Sequence, residues 1–202
     1  MERPILFNTS MVRAILEGRK TVTRRVIRLQ PESRLIRMTE SSCYPGCFAI
    51  EGTSMVIRPP CQPGDVLWVR ETWCESLGQA GKYFYRAYAG PRDEMKEYAH
   101  SFNRWHPSIH MPRAAARLFL RVTEVRANKL HDVNYFDCLS EGVPYRQMET
   151  DVVQDFSALW DSTIKPADRP VYGWAANPWV WIIQFERISR PPEGGEEHDT
   201  QL

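Results

Sequence analysis

The chain has 202 residues, and 43% of them are hydrophobic, which is enough for one globular domain with its own core. Its formal net charge of +1 does not by itself indicate nucleic acid, although basic residues gather before residue 38 and acidic residues after residue 192. The sequence has no apolar run of membrane-spanning length and no secretory signal, which favours a cytoplasmic protein without a membrane partner.

The N-terminal part of the chain predicts a strand, a helix and a second strand. The first strand is expected at residues 3–7, and the polar residues after it can cap a helix over residues 10–17. Gly18 follows, and glycine just past a helix end is a stop signal because it adopts the left-handed conformation at little cost. β-branched residues then alternate with polar ones over residues 21–27, which is typical of a strand.

This helix-to-strand elbow concentrates groups that can do chemistry. Lys20 and Thr23 supply an amine and a hydroxyl, which together can act as a base and a nucleophile. Three neighbouring arginines can hold a phosphate or a carboxylate, namely Arg19, Arg24 and Arg25. Side chains three residues apart on a regular strand point to opposite faces, so Lys20 and Thr23 converge only if the chain kinks near Lys20, as Gly18 allows. The alternative interpretation is a solvated basic strand end.

The rest of the chain alternates short strands, short helices and long loops. Residues 28–64 are rich in proline and predict an irregular segment, and residues 190–202 predict a disordered acidic tail. Further strands are expected at residues 48–50, 55–57, 66–70, 83–88, 117–130 and 179–185. Further helices are expected at residues 92–102, 133–140 and 151–162, the second of them ended by Gly142. This pattern indicates an α+β fold built on a small curled sheet or barrel.

Aromatic and histidine side chains give further candidates for a binding site. Trp68 and Trp73 flank Arg70 and Glu71, and an indole ring can stack on a nucleic-acid base. Packing in the core is the alternative for each tryptophan. His110 shares a loop with a second histidine, where it can act as an acid or base near neutral pH or simply stabilise the loop.

The five cysteines do not predict a disulfide framework, because their number is odd and their spacing is uneven. Free thiols are the default interpretation. A zinc site is the alternative, with Cys43, Cys47, Cys61 and Cys74 as its ligands, although the usual paired short spacing is missing. We therefore expect neither a metal nor a cofactor.

Six motifs, in this order, resemble the ASCH domain, a branch of the PUA-like barrels. They are GRKTVTRR at 18–25, PGDVLWVRETW at 63–73, SIHMPR at 108–113, RVTEV at 121–125, SEG at 140–142 and NPWVW at 177–181. The long form with the SIHMPR loop is similar to ASCH proteins of bacteriophages and prophages. Relative to shorter bacterial members, residues 28–62 and 77–112 look like insertions into a domain of residues 1–189.

The resemblance implies a small PUA-like β-barrel, with inserted short helices and extended loops, that binds RNA or a modified nucleoside in a cleft. Small bacterial relatives are amidohydrolases that remove the acetyl group of N4-acetylcytidine with a Lys, a Thr and a Glu. These match Lys20, Thr23 and, more loosely, Glu141 here, which are the expected catalytic residues. The expected substrate-binding residues are Arg19, Arg24, Arg25, Trp68, Arg70, Glu71, Trp73 and His110. The alternatives are an RNA-binding module without catalysis and a ribonuclease of the same fold; a monomer is favoured.

Overall fold

The computed structural model describes residues 1–88 and 104–191, and within them the protein is a mixed α+β fold of several sheets and short helices. The strands are β1 (Glu2–Leu6), β2 (Val22–Val26), β3 (Leu35–Arg37), β4 (Phe48–Ile50), β5 (Val56–Ile57), β6 (Val66–Arg70), β7 (Trp73–Glu75), β8 (Tyr83–Tyr85), β9 (Phe119–Lys129) and β10 (Trp179–Ile188). The α-helices are α1 (Thr9–Leu16), α2 (Tyr135–Ser140), α3 (Glu149–Thr163) and α4 (Arg169–Tyr172). Short 3-10 helices are Ser108–His110, Arg113–Ala115, Leu130–Asp132, Pro166–Asp168 and Trp174–Ala176.

Most of the predicted elements occur in the structure within a few residues of their expected ends. The proline-rich segment is more ordered than expected, because β3 joins the two predicted strands in a small antiparallel sheet of order β3-β4-β5. The predicted strand at residues 83–88 is shorter, and β8 pairs with β7, which the sequence did not predict. The predicted helix at residues 92–102 and the predicted tail from residue 192 lie outside the described residues.

The main sheet has five strands in the order β1-β6-β9-β10-β2, so β1 and β2 are its two edges. The β1–β6 pair is parallel and the other pairs are antiparallel. Arg25 on β2 donates from Nη2 to the carbonyl oxygen of Leu6 on β1 at 2.8 Å, which requires the sheet to curl until its edges approach each other. No backbone ladder joins β1 to β2 in the described residues, so the expected closed barrel is not seen there.

The two faces of this sheet are buried by different partners. One face contributes side chains such as Leu67, Trp181 and Ile183 to a core that also takes in α1 and the small β3-β4-β5 sheet. The other face packs through Val22 and Ile182 against α2 and α3. Alternation along β2 therefore sends Thr23 and Arg25 to the first face and Arg24 to the second.

Candidate functional site

The elbow between α1 and β2 is fixed by hydrogen bonds at both ends. Gly18 has φ of +75°, and the backbone N–H groups of Arg19 and Lys20 both donate to the carbonyl oxygen of Ala14. Lys20 forms an isolated antiparallel bridge with Glu141, at the C-terminal end of α2. The chain thus turns at Gly18, just before Lys20, and the bridge docks the elbow against the end of α2.

Lys20 is fully buried and all three of its ammonium protons have acceptors. Nζ lies 2.5 Å from Oε2 of Glu141, 2.9 Å from the carbonyl oxygen of Glu141 and 2.8 Å from the carbonyl oxygen of Val22. Burial lowers the pKa of Lys20, and the charge of Glu141 and its hydrogen bond act in the opposite direction. Lys20 and Glu141 thus form a buried ion pair, in which Glu141 partly offsets the effect of burial on the pKa of Lys20.

The second oxygen of Glu141 is held from the other face of β2. Arg24 donates from Nη1 to Oε1 of Glu141 at 3.2 Å and from Nη2 to Asp137 at 3.0 Å. Its guanidinium lies 5.8 Å from the Phe156 ring centroid, and its Nε is buried without a hydrogen-bond partner in the described part of the chain. Arg24 therefore completes a clasp of four side chains, in which Lys20, Glu141 and Arg24 are buried and Asp137 is partly exposed.

Thr23 is also buried, and its hydroxyl lies beside Arg25. Arg25 donates from Nη1 to Oγ1 of Thr23 at 3.0 Å and to the carbonyl oxygen of Arg24 at 3.1 Å. The Arg25 guanidinium and the Lys20 ammonium lie 5.1 and 5.7 Å from the centroid of one ring, that of Phe7. Lys20 and Thr23 thus share a neighbourhood, but no hydrogen bond joins Lys20 Nζ to Thr23 Oγ1 in the described residues.

The same side chains occupy the open edges of the main sheet. Along β2, residues whose backbone groups bond to β10 alternate with residues whose backbone groups point away from β10. Val22 and Arg24 belong to the second set, so their carbonyl groups face outward from the sheet edge. Lys20 donates a hydrogen bond to the carbonyl oxygen of Val22, and Arg25 donates to those of Arg24 and Leu6. We call the gap between β1 and β2 the seam; Lys20 and Arg25 satisfy there the carbonyl groups that strand pairing would otherwise use.

Two cavities of about 650 Å³ each lie on either side of Arg25. One, the seam cavity, runs between β1 and β2 over an apolar floor that includes Ile5 and Trp181. The other, the hydroxyl-lined cavity, is lined by Phe7, by Arg24 and Arg25, and by several hydroxyl groups. The hydroxyl groups are those of Thr9, Thr72, Ser108, Ser162 and Thr163. Lys20 and Thr23 line neither cavity and lie behind Phe7 and Arg25.

The other predicted binding residues do not contact this clasp. Arg19 is half-exposed, donates to Glu17 and to the carbonyl oxygen of Gly142, and lines a third cavity of about 360 Å³ with Glu141. Trp68 lies 5.6 Å from the guanidinium of Arg70, which donates to the carbonyl oxygen of Ile109. His110 is exposed at the end of a short 3-10 helix.

Glu71 and Trp73 are buried and have structural partners. Arg117 grips Glu71 with two hydrogen bonds of 2.8 and 2.9 Å, and its guanidinium packs on the ring of Tyr85 at 4.0 Å. Trp73 packs between Tyr83 and His106. These contacts hold the segment around β7 and β8 against the main sheet, so both residues have a structural role.

Sequence reasoning did not single out Asp137, Arg117 or Phe7. Of the three, Asp137 was the easiest to predict from the sequence, because Asn134 and Asp137 have the spacing of a capping box at the start of α2. Arg117 meets Glu71 across 46 residues of sequence, so no local pattern marks the pair. Phe7 was read as part of a strand, and only the fold places its ring beside Lys20 and Arg25.

The described residues contain no group of three or more His, Cys, Asp or Glu side chains placed to hold a metal ion. The five cysteines are free thiols; Cys43 is exposed and the others are buried. Burial raises the pKa of Cys61, Cys74 and Cys138 to about 11 in each case. None of the helices in residues 1–88 or 104–191 has both the length and the apolar character that crossing a membrane would take.

Comparison with known proteins adds no family to this geometry: the chain matches no protein-family model, no curated protein sequence and no solved structure.

Proposed function

We propose that the protein is an amidohydrolase of the ASCH type, which removes an acyl group from the exocyclic amine of a modified cytidine. The observation that carries the proposal is the buried contact of 2.5 Å between Lys20 Nζ and Glu141 Oε2. Lys20 lies over the Phe7 ring, and Arg25, over the same ring, donates to the hydroxyl of Thr23. A PUA-like barrel belongs to the same proposal, and the Arg25–Leu6 contact across the seam supports it.

The chemistry starts from the proton that Lys20 and Glu141 share. When that proton rests on Glu141, Lys20 is a neutral amine and accepts the hydroxyl proton of Thr23 as Oγ1 attacks the acyl carbonyl carbon. For this step the Lys20 amine rotates so that its lone pair turns from the proton on Glu141 to face Thr23 Oγ1. Burial favours the neutral amine, because it lowers the pKa of Lys20.

The remaining steps return every group to its starting state. The C–N4 bond breaks, Glu141 gives its proton to N4, and the acyl group stays on Thr23 as an ester. Water then attacks the ester, Glu141 takes the water proton, and Lys20 returns its proton to Thr23 Oγ1. Arg25 Nη1, 3.0 Å from Oγ1 in the resting structure, is the nearest cationic donor for the oxyanion.

Access to Thr23 sets the requirement for substrate binding. The hydroxyl-lined cavity reaches Phe7 and Arg25, which cover Thr23 and Lys20. We place the nucleoside in this cavity, where Trp160 and the arginines offer stacking surfaces and hydrogen-bond donors. Arg25 then leaves Thr23 Oγ1 for the acyl oxygen as the substrate enters.

A matched pair of variants at Thr23 tests the proposal. Thr23→Val removes the hydroxyl and keeps the shape, so hydrolysis of N4-acetylcytidine should fall by several orders of magnitude. Thr23→Ser keeps a nucleophile and should retain measurable turnover. The rates of cytidine and acetate release by the two variants are measured by chromatography and compared with that of the wild type. Undiminished hydrolysis by Thr23→Val would remove Thr23 as the nucleophile.

An RNA-binding module without catalysis is the second candidate. The observation in its favour is that all three ammonium protons of Lys20 already have acceptors, as expected of a group that only holds the fold together. Binding of RNA by the wild type, with no hydrolysis of any acylated cytidine, would support this candidate over the enzyme.

A further inference from the structure

The seam cavity carries positive charge that the proposed reaction does not use. Four arginines line it, from β1, from β2 and the residues just after it, and from the segment after β5. They are Arg3, Arg25, Arg28 and Arg58. None of its lining residues is acidic. Such a one-signed lining over an apolar floor attracts an anion that also has flat or apolar parts.

Two of these arginines are free to bind a ligand. Arg28 and Arg58 are exposed, and neither guanidinium has an ion-pair or hydrogen-bond partner in the described part of the chain. Arg3 is partly occupied, since its Nε lies 3.3 Å from Asp65. Arg25 is engaged with Thr23 and Leu6. Arg28 and Arg58 are therefore the positions where a phosphate group can form the strongest new ion pairs.

The seam cavity adjoins the hydroxyl-lined cavity. Leu6, Arg25 and Val26 line both. A ligand that occupies both cavities must pass over Arg25, whose Nη1 touches the hydroxyl of Thr23. A strand of RNA with its modified base in the hydroxyl-lined cavity would thus lay its neighbouring phosphates beside Arg28 and Arg58.

The backbone at the seam argues against an added peptide strand as the occupant. Residues of β1 that face the seam include Pro4, which has no N–H, and Leu6, whose carbonyl is taken by Arg25. On the β2 side, Lys20 and Arg25 take the outward carbonyls of Val22 and Arg24. A peptide that adds to a sheet edge needs those groups, whereas a polyanion needs only the arginines.

We infer that the modified cytidine is presented within single-stranded RNA, whose phosphates bind along the seam cavity through Arg28 and Arg58. This inference rests on the proposed function for the identity of the base, but its charge contacts can be measured separately. Each phosphate that is neutralised releases counterions, so affinity falls with salt in proportion to the number of contacts.

The test uses a fluorescent single-stranded RNA that carries one N4-acetylcytidine. Arg28→Ala and Arg58→Ala should each weaken binding in anisotropy titrations and reduce the slope of log K against log salt by about 0.7. They should also lower the ratio of kcat/KM for the RNA to kcat/KM for the free nucleoside. Arg86→Ala, which removes an exposed arginine that lines none of the three cavities, is the matched control and should leave the affinity, the salt slope and the kcat/KM ratio unchanged.

Three results separate this inference from the proposed function. Unchanged RNA affinity and salt slope in both arginine variants would overturn the seam assignment. Competition by polyglutamate as effective as that by unmodified RNA would also overturn it, in favour of an acidic peptide. Normal RNA binding and the expected slopes without release of acetate would support the seam as an RNA site and reject the amidohydrolase.

Discussion

Gly142 offers the sharpest test of how the clasp is built, because it follows Glu141 and packs against the elbow. Its φ is +92°, and a Cβ at this position would lie 2.7 Å from Cβ of Ala14 and 3.2 Å from Cβ of Lys20. Gly18 also has a positive φ, but a Cβ there would meet nothing within 4 Å. The two glycines therefore separate backbone strain from crowding.

The expected cost of Gly142→Ala has two parts. Holding alanine in the left-handed conformation costs about 1–2 kcal/mol, and overpacking the contact between Ala14 and Lys20 adds about 1–3 kcal/mol. Gly18→Ala carries only the first part. Urea unfolding should therefore show Gly142→Ala to be less stable than Gly18→Ala by about 1–3 kcal/mol, with similar m values.

A rescue variant makes this prediction specific to the Ala14 contact. Ala14→Gly removes the methyl group that the new side chain would strike, at a cost of about 0.5–1 kcal/mol for glycine inside a helix. Combined with Gly142→Ala, it should recover stability relative to the sum of the single variants. If Gly142→Ala is no more destabilising than Gly18→Ala, or if Ala14→Gly gives no rescue, the crowding at the elbow is refuted.

Four further predictions concern the clasp and the cysteines. Glu141→Gln leaves the cations of Lys20 and Arg24 without their shared anion and should lower the free energy of unfolding by about 3–5 kcal/mol, whereas Lys20→Met should lower it by about 1–3 kcal/mol; equal losses in urea unfolding would count against the clasp. Because Glu141 opposes the effect of burial, Glu141→Gln should move the pKa of Lys20 further below 10.5, and an upward shift in an NMR titration would be inconsistent with the geometry. A lysine pKa that is lower in the folded than in the unfolded chain makes stability rise with pH between the two values, and Lys20→Met should abolish that rise. Iodoacetamide should modify exposed Cys43 well before buried Cys61, whose pKa is about 11, and equal rates would show that Cys61 is accessible.

Local signals explain which parts of the fold were predictable. Glycines with positive φ mark the ends of α1 and α2, and both stops were visible because no other residue adopts this conformation so readily. The alternation in Val66–Arg70 and the helical spacing in α3 likewise depend only on nearby residues. Short strands such as β3 and β7 carry too few residues for a period to show, and their partners decide whether they form.

The site was predictable in its members more than in its contacts. The elbow motif pointed to Lys20 and Thr23; in the structure Lys20 and Arg25 lie over the ring of Phe7, and Arg25 contacts the hydroxyl of Thr23. Alternation along β2 already implied that Arg25, and not Arg24, shares the face of Thr23. The three acceptors of Lys20 depend on how α2 docks against the elbow, which no local pattern encodes.

The central claim is that Lys20 and Thr23 act as one catalytic unit, and a double-mutant cycle in kcat/KM for N4-acetylcytidine tests it most directly. The variants are Lys20→Arg, Thr23→Val and the combination, each first shown to be folded by circular dichroism. Arginine stays protonated and cannot accept the hydroxyl proton, so Lys20→Arg should lose most turnover. Because losses within one unit do not add, the double variant should be little worse than the poorer single variant. Near-normal turnover in Lys20→Arg, or losses that multiply in the double variant, would contradict the account.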